Sequence, residues 1–391
     1  GGGIMLSPAQ THPVIGHAFL DKAKRPGLTR AIVISKYPKF RTEIVSALET
    51  NFSVDYYTTT DAALITLQQG KTPGLIVMDY REIVSHSRDF LKEKSQTERL
   101  RDVPIIVTGR VDDQKFNETV RQTCRVFYLR RPFLKSQLRE AASRLVDGPI
   151  EDNWKVLPKR QKEALMSSVA TFRNTAHRVQ KGQSLNMAET KETCVPLMEE
   201  VLEGNAAQLI EGLKGHHNYA YVHSLKVATL LSLLGNAIGI KDRELLTITA
   251  GGLLMDIGKL ATPQDILNSP DTLDERQWKE LKKHVYHSHN ILKNTENVSE
   301  GVKIIAEQHH EKLDGSGYPR GLKGKDLNEL ARLSAIADIY CALSDVRPYK
   351  PGFSFDQSIK VLEKMEGQID PFLLSLFKEI VKTAFQKKNI H

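Results

Sequence analysis

Four short β-branched runs, all before residue 130 and none after it, set the main constraint on the fold. They are AIVIS from Ala31, GLIVMD from Gly74, VPIIVTG from Val103 and the weaker VFYL from Val126. Helical stretches such as PKFRTEIVSALET, from Pro38, and DAALITLQQG, from Asp61, stand between them. Short buried strands alternating with helices require a parallel sheet with helical crossovers. That pattern predicts an α/β domain over residues 29–147. From about Met198 onward only helices are read. Leu225, Ala228, Leu231 and Leu234 mark one amphipathic face. Thr272 and Glu275 have capping-box spacing at the start of another helix. Residues 198–391 are therefore expected to be all-α.

A chain of 391 residues exceeds what one core usually serves, so two or three domains are expected. The opening GGGIM reads as a tag remnant ahead of Met5, and residues 1–28 as a tail outside the fold. No apolar run is long enough to span a bilayer, and no secretory signal follows, so membrane insertion is not expected. Three scattered cysteines, Cys124, Cys194 and Cys341, argue against a disulfide framework and for a reducing cytoplasm. The net charge of +8 is spread out, with KAKR (from Lys22) and PKRQK (from Pro158) its densest runs. Without a basic patch beside groove-reading elements, DNA is not expected as a partner. A positive balance does suit an anionic small ligand such as a nucleotide.

The five-unit βα rhythm of residues 29–147 resembles the receiver domain of bacterial response regulators, a flavodoxin-like fold. Asp79 matches that family's phosphoacceptor aspartate and Thr108 its hydroxyl residue. The acidic pair that holds Mg²⁺ in the family reads Ser35-Lys36 here, and its lysine before a proline reads Arg131-Pro132. A hard Mg²⁺ site needs its carboxylates, so this receiver-like domain is expected to be degenerate and Asp79 structural. Residues 148–197 read as a polar helical connector, with Leu165, Val169 and Phe172 at helical spacing.

Of 13 histidines, eight fall between His216 and His310. Joined to Asp256 and Asp338, that concentration favours a metal site over satisfied core histidines. Along His223, Asp256, His284, the His309-His310 pair and Asp338, the gaps are 33, 28, 25 and 28 residues. Each gap is about one helix plus one loop. Helical bundles build core metal sites in this way, with one inward ligand or pair per helix.

MDIGK, HHEKLDGSGYPRGLKG and AIADIYCALSDVRPYK resemble the HD-GYP family, a branch of the HD phosphohydrolases, from about His216 to the C-terminus. The resemblance implies an all-helical HD-type bundle that hydrolyses cyclic di-GMP in bacterial signalling. It implies a binuclear centre of two transition-metal ions, iron or alternatively manganese. By motif position the metal ligands would be His223, Asp256, His284, His309, His310 and Asp338, with Asp256 bridging. Lys259 would contact the scissile phosphate, making Asp256 and Lys259 the catalytic pair. Tyr318, Arg347 and Lys350 would hold the dinucleotide. The GYP loop and the receiver-like domain would be surfaces for protein partners.

Three departures qualify that expectation. The family's defining histidine is Met255, a soft thioether expected to pack rather than ligate. Water, Tyr219 or His217 are the candidates for the place it leaves. A family aspartate is Cys341. His287 and His289 lie outside the motif and read as surface residues. The expected function is metal-dependent hydrolysis of cyclic di-GMP or a related nucleotide, slowed by Met255. The alternatives are a catalytically weak effector that binds the dinucleotide and signals through partners, and a phosphohydrolase of another substrate.

Overall fold

A computed structural model describes residues 29–49, 51–69, 72–82, 88–109, 125–267, 273–345 and 352–386. The chain divides into two compact units between Val146 and Asp147.

The first unit carries strands β1 (Arg30–Ile34), β2 (Ser53–Tyr57), β3 (Leu75–Asp79), β4 (Ile105–Gly109) and β5 (Val126–Arg130). Among them run helices α1 (Pro38–Leu48), α2 (Thr60–Gln69), α3 (Arg88–Gln96) and α4 (Glu98–Arg101). All strand pairs are parallel, in the order β2-β1-β3-β4-β5. That is the flavodoxin-like order, as the βα rhythm predicts. Every residue of β3 and β4 is buried, which is why those strands read as continuous apolar runs. Alternation within the runs serves two cores. Ile32, Ile34, Ile76, Met78, Ile105 and Val107 face one core, while Ala31, Val33, Leu75, Val77 and Ile106 face the other. Strand β2, SVDYY, was not among the four runs. It lies at a sheet edge, half-buried throughout, so no apolar signal marks it.

Helix α5 (Lys135–Trp154) carries the unit boundary. The second unit continues with α6 (Lys159–Gln180), α7 (Met187–Leu202), α8 (Ala206–Gly212), α9 (Tyr219–Ala237) and α10 (Asp242–Leu254). A 3₁₀ turn (Ile257–Ala261), α11 (Gln264–Leu267), α12 (Glu275–Lys293) and α13 (Glu300–Gln308) follow. Then come a second 3₁₀ turn (Gly324–Asp326), α14 (Glu329–Ser344), α15 (Phe355–Glu363) and α16 (Pro371–Gln386). Among the described residues this unit has no strand, only one isolated bridge between Asp314 and Lys323.

Two findings refine the helical reading. Helix α9 is buried on more than one side: Leu225 and Ala228 join one core, Val227, Leu230, Leu231 and Leu234 the other. A single amphipathic face is too narrow a description, because α9 runs between two cores. Thr272 lies outside the described residues, and the capping box of α12 is instead Asp274 with Gln277. Within residues 148–197, Trp154, Leu165, Val169, Phe172, Met187 and Cys194 are buried in the core that also takes Leu225.

Candidate metal centre

Five elements of the second unit bring the histidine and aspartate series together. His223 lies in α9, His284 in α12 and Asp338 in α14; Asp256 and Lys259 belong to the turn after α10, and His309-His310 end α13. Gly258 lets that turn close on α12. A Cβ there would stand 2.0 Å from the His284 carbonyl oxygen. The Gly258 N–H donates to Ser288 Oγ at 2.9 Å, and that hydroxyl donates to Met255 O at 3.0 Å.

The donor atoms form two groups that share Asp256. Asp256, His284, His309 and His310 make one; His223, Asp256 and Asp338 make the other. Asp256 Oδ1 lies 3.4 Å from His284 Nε2 and 3.5 Å from His309 Nε2. Its Oδ2 lies 3.4 Å from His223 Nε2 and 2.5 Å from Lys259 Nζ. Asp338 Oδ1 lies 3.0 Å from His223 Nε2, and its Oδ2 3.6 Å from His310 Nδ1.

Backbone carbonyls settle which ring nitrogens face inward. His284 Nδ1 donates to Leu281 O at 2.6 Å, and His309 Nδ1 to Ile305 O at 3.0 Å. A carbonyl only accepts, so both Nδ1 atoms carry the proton and both Nε2 atoms present lone pairs. His309 Nε2 and Asp256 Oδ1 are buried without a hydrogen-bond partner. Two buried acceptors facing each other without a hydrogen-bond partner fit a nearby cation, so the chemistry of this donor set fits bound metal. Outer contacts orient the ligands in the manner of metal-binding histidines. His223 Nδ1 bonds Asp345 Oδ2 at 2.9 Å, and Lys226 Nζ bonds Asp345 Oδ1 at 2.6 Å.

The electrostatics of the free ligands follow from burial and pairing. Burial would lower His223, but Asp338 and Asp345 overturn that and hold its imidazolium up to about 9. Burial would raise Asp256, yet the Lys259 ammonium against its Oδ2 keeps it well below the ordinary carboxylate range. Burial pushes His284 and His310 down, so both stay neutral and able to ligate.

The loop after the histidine pair is fixed by its neighbours. Buried Glu311 accepts from the N–H groups of Arg320 at 2.7 Å and Leu322 at 2.9 Å. Gly317 passes so close to Glu311 that a Cβ would meet its Cα at 2.5 Å. Tyr318 is thereby stacked on the His310 ring at 4.7 Å between centroids. Arg347 and Lys350 lie outside the described residues.

Met255 is fully buried among Val227, Leu230 and Ile305, so it packs in an apolar core. Cys341 is buried in the same cluster, which pushes its thiol well above the ordinary range. His217 is no substitute ligand: its N–H and Nδ1 both contact Asp147 Oδ1, at 2.8 and 2.9 Å. His289 pairs with Glu307 at 2.7 Å on a side chain 42% exposed, outside both donor groups. A third acidic group, Asp147, Glu151 and His216, already holds a cation, because Arg173 forks onto Glu151 at 2.6 and 3.1 Å. Asp345 and Glu311 were missed in the sequence. Asp345 stands seven residues after Asp338, two helical turns on, which was a usable signal.

In the first unit, Asp79 at the end of β3 is level with Thr108 on β4. Both its oxygens are engaged by Arg81, at 3.0 Å to Nε and 2.6 Å to Nη2. The same guanidinium lies 3.4 Å from the centroid of the Tyr37 ring. Arg131 pairs with Glu43 at 2.7 Å.

Residues 196–373 match the HD domain family model. A cyclic di-GMP phosphodiesterase of Pseudomonas aeruginosa is 32% identical over 204 residues, 52% of this chain and 49% of the relative. A 3'3'-cGAMP-specific phosphodiesterase of Vibrio cholerae is 34% identical over 162 residues, 41% of this chain and 35% of the relative. The cyclic di-GMP phosphodiesterase response regulator RpfG of Xanthomonas campestris is 25% identical over 300 residues, 76% of this chain and 72% of the relative. The chain thus spans about half or less of the length of the first two. Among the described residues, no helix is long and apolar enough to cross a membrane.

Proposed function

We propose that this chain, whose second unit carries an HD domain over residues 196–373, hydrolyses a cyclic dinucleotide, cyclic di-GMP or its 3'3'-cGAMP relative. The observation that carries the reading is Asp256, shared by two donor groups, with its orphaned Oδ1 facing the lone pair of His309 Nε2. His223, Asp256, His284, His309, His310 and Asp338 would hold the metals. A mixed histidine and carboxylate set suits iron, with manganese the alternative. Bound metal would supply an activated water near neutral pH and charge stabilisation at the attacked phosphate. Water adds across one P–O3′ bond, and the 3′ oxygen leaves with a proton. Lys259, held beside Asp256, presents its ammonium to the phosphate oxygens. Tyr318 packs against the bound nucleotide, and Arg347 and Lys350 pair with its phosphate or guanine acceptors. The described cysteines, Cys194 and Cys341, are free and buried, which suits a cytoplasmic chain. The GYP loop and the receiver-like unit are the surfaces proposed for protein partners.

A second reading, a dinucleotide-binding effector with slow turnover, is favoured by one observation. Met255 packs into the core and gives the centre no ligand. Metal analysis of the purified chain with a turnover assay on cyclic di-GMP tests both. A bound pair of transition-metal ions with turnover is expected; less than one ion per chain would sink the metal reading. Met255→His should raise turnover by about tenfold and affinity much less, because misplacement by about an ångström costs up to about a hundredfold in rate. If wild type turns over briskly and the variant gains nothing, Met255 is no handicap and the effector reading fails.

A further inference from the structure

A cleft of about 380 Å³ opens beside His309 and His310, and Trp278, Lys282, Tyr318, Met365 and Ile369 line it. Trp278 and Lys282 stand four apart on α12 and so share one face of that helix. The chain has two tryptophans, and their surroundings differ. Trp154 is 2% exposed, stacked on His216, with its indole N–H donated to Gly212 O at 2.8 Å. Trp278 is 45% exposed. A large aromatic left open on the wall of a cleft costs apolar exposure that a ligand face would remove.

The cleft residues make a sequence of contacts leading to the metal centre. Lys282 Nζ lies 5.0 Å from the centroid of the Tyr318 ring. Tyr318 in turn is stacked on His310, with the ring planes 25° apart. The cleft wall thus carries an open aromatic face, then a cation, then a second aromatic ring next to the ligand histidines.

We propose that Trp278 is the stacking platform for one purine base of the cyclic dinucleotide, with Lys282 beside it facing the phosphate next to that base. This rests on the functional reading above. A phosphodiester held at the metal centre leaves its nucleosides to run along the cleft, whose apolar lining of Met365 and Ile369 suits a base rather than a second phosphate. Stacking on an indole uses the π-face that every base has, so the platform takes guanine and adenine alike. Trp278 therefore contributes affinity for cyclic dinucleotides as a class, without choosing between cyclic di-GMP and 3'3'-cGAMP.

Stopped-flow tryptophan fluorescence on the full chain, mixed with cyclic di-GMP, tests this directly. A saturable quench is expected in wild type and none in Trp278→Phe, where buried Trp154 is the remaining reporter. By equilibrium dialysis Trp278→Ala should weaken cyclic di-GMP binding by about tenfold, within the range of base–aromatic stacking, and Trp278→Phe by less. If Trp278→Ala binds cyclic di-GMP as wild type does, the platform is refuted while the functional reading stands. If wild type binds neither cyclic di-GMP nor 3'3'-cGAMP, the functional reading falls and the platform with it.

Discussion

Asp79 closes β3 in the first unit and Asp256 follows α10 in the second; they are 4% and 6% exposed. Both face the cost of burying a carboxylate, and each meets it differently. Asp79 has an internal cation: the Arg81 guanidinium forks across both its oxygens. Asp256 has Lys259 on Oδ2, but its Oδ1 faces the imidazole lone pairs of His284 and His309. A carboxylate saturated by its own chain has nothing left to bind. One surrounded by further acceptors is completed only by a cation from outside. The difference separates a structural aspartate from a proposed metal bridge, though both end an element in a family-like motif.

The sharpest way to break the comparison is to remove each carboxylate in turn. Asp256→Asn should lower turnover and metal affinity by at least about a hundredfold, since loss even of an outer partner costs about 10–100-fold. Asp79→Asn should leave the metal content of the purified chain unchanged. Equal metal loss in the two variants would erase the distinction. A smaller effect concerns a half-buried carboxylate that, like Asp79, is paired with an arginine: Glu151, forked by Arg173. Burial would raise it, but hydrogen bonds from His216 and Arg173 hold it below the ordinary range. A depressed carboxyl stabilises the fold above its unfolded value of about 4.3, and that contribution fades as pH falls through the folded value. Melting curves should therefore show wild type losing Tm more steeply than Glu151→Gln below about pH 4.3; parallel curves would count against the ion pair. The smallest effect is a null. Incubation with acetyl phosphate and Mg²⁺ should add no mass at Asp79, because Ser35-Lys36 cannot hold the ion and Arg81 occupies the carboxylate. An acid-labile phosphoryl adduct there would place the two aspartates in one class.

How much was legible depended on whether a signal was local. Strands β1, β3 and β4 announced themselves because their residues are buried on both sheet faces. Strand β2 did not, because an edge strand that is half-buried throughout keeps polar residues. The histidine series was legible through its helix-plus-loop spacing, and the donor atoms of all six expected ligands lie in the two groups at Asp256. Asp345 was legible only through its seven-residue spacing from Asp338, because the partner that gives it a role, His223, lies 122 residues away in the chain. The fate of Met255 was not legible, since a thioether beside an aspartate can point to a metal or to a core with the same residues around it.

Residue type and spacing alone determined that a parallel βα unit precedes a helical one, and that the candidate ligands recur, singly or as one pair, once per helix or helix end. Those are consequences of backbone periodicity, which each segment carries within itself. Which carboxylate would be satisfied internally and which left open was decided only in three dimensions. Arg81 reaches Asp79 from two residues on, just past the end of β3, and Tyr37 from another segment holds its guanidinium there. His284 and His309 turn Nε2 lone pairs toward Asp256 Oδ1 because their Nδ1–H groups are donated to backbone carbonyls. Those carbonyls are positioned by helices α12 and α13. No short stretch of sequence specifies how the lone pairs released by two separate helices come to face one buried oxygen.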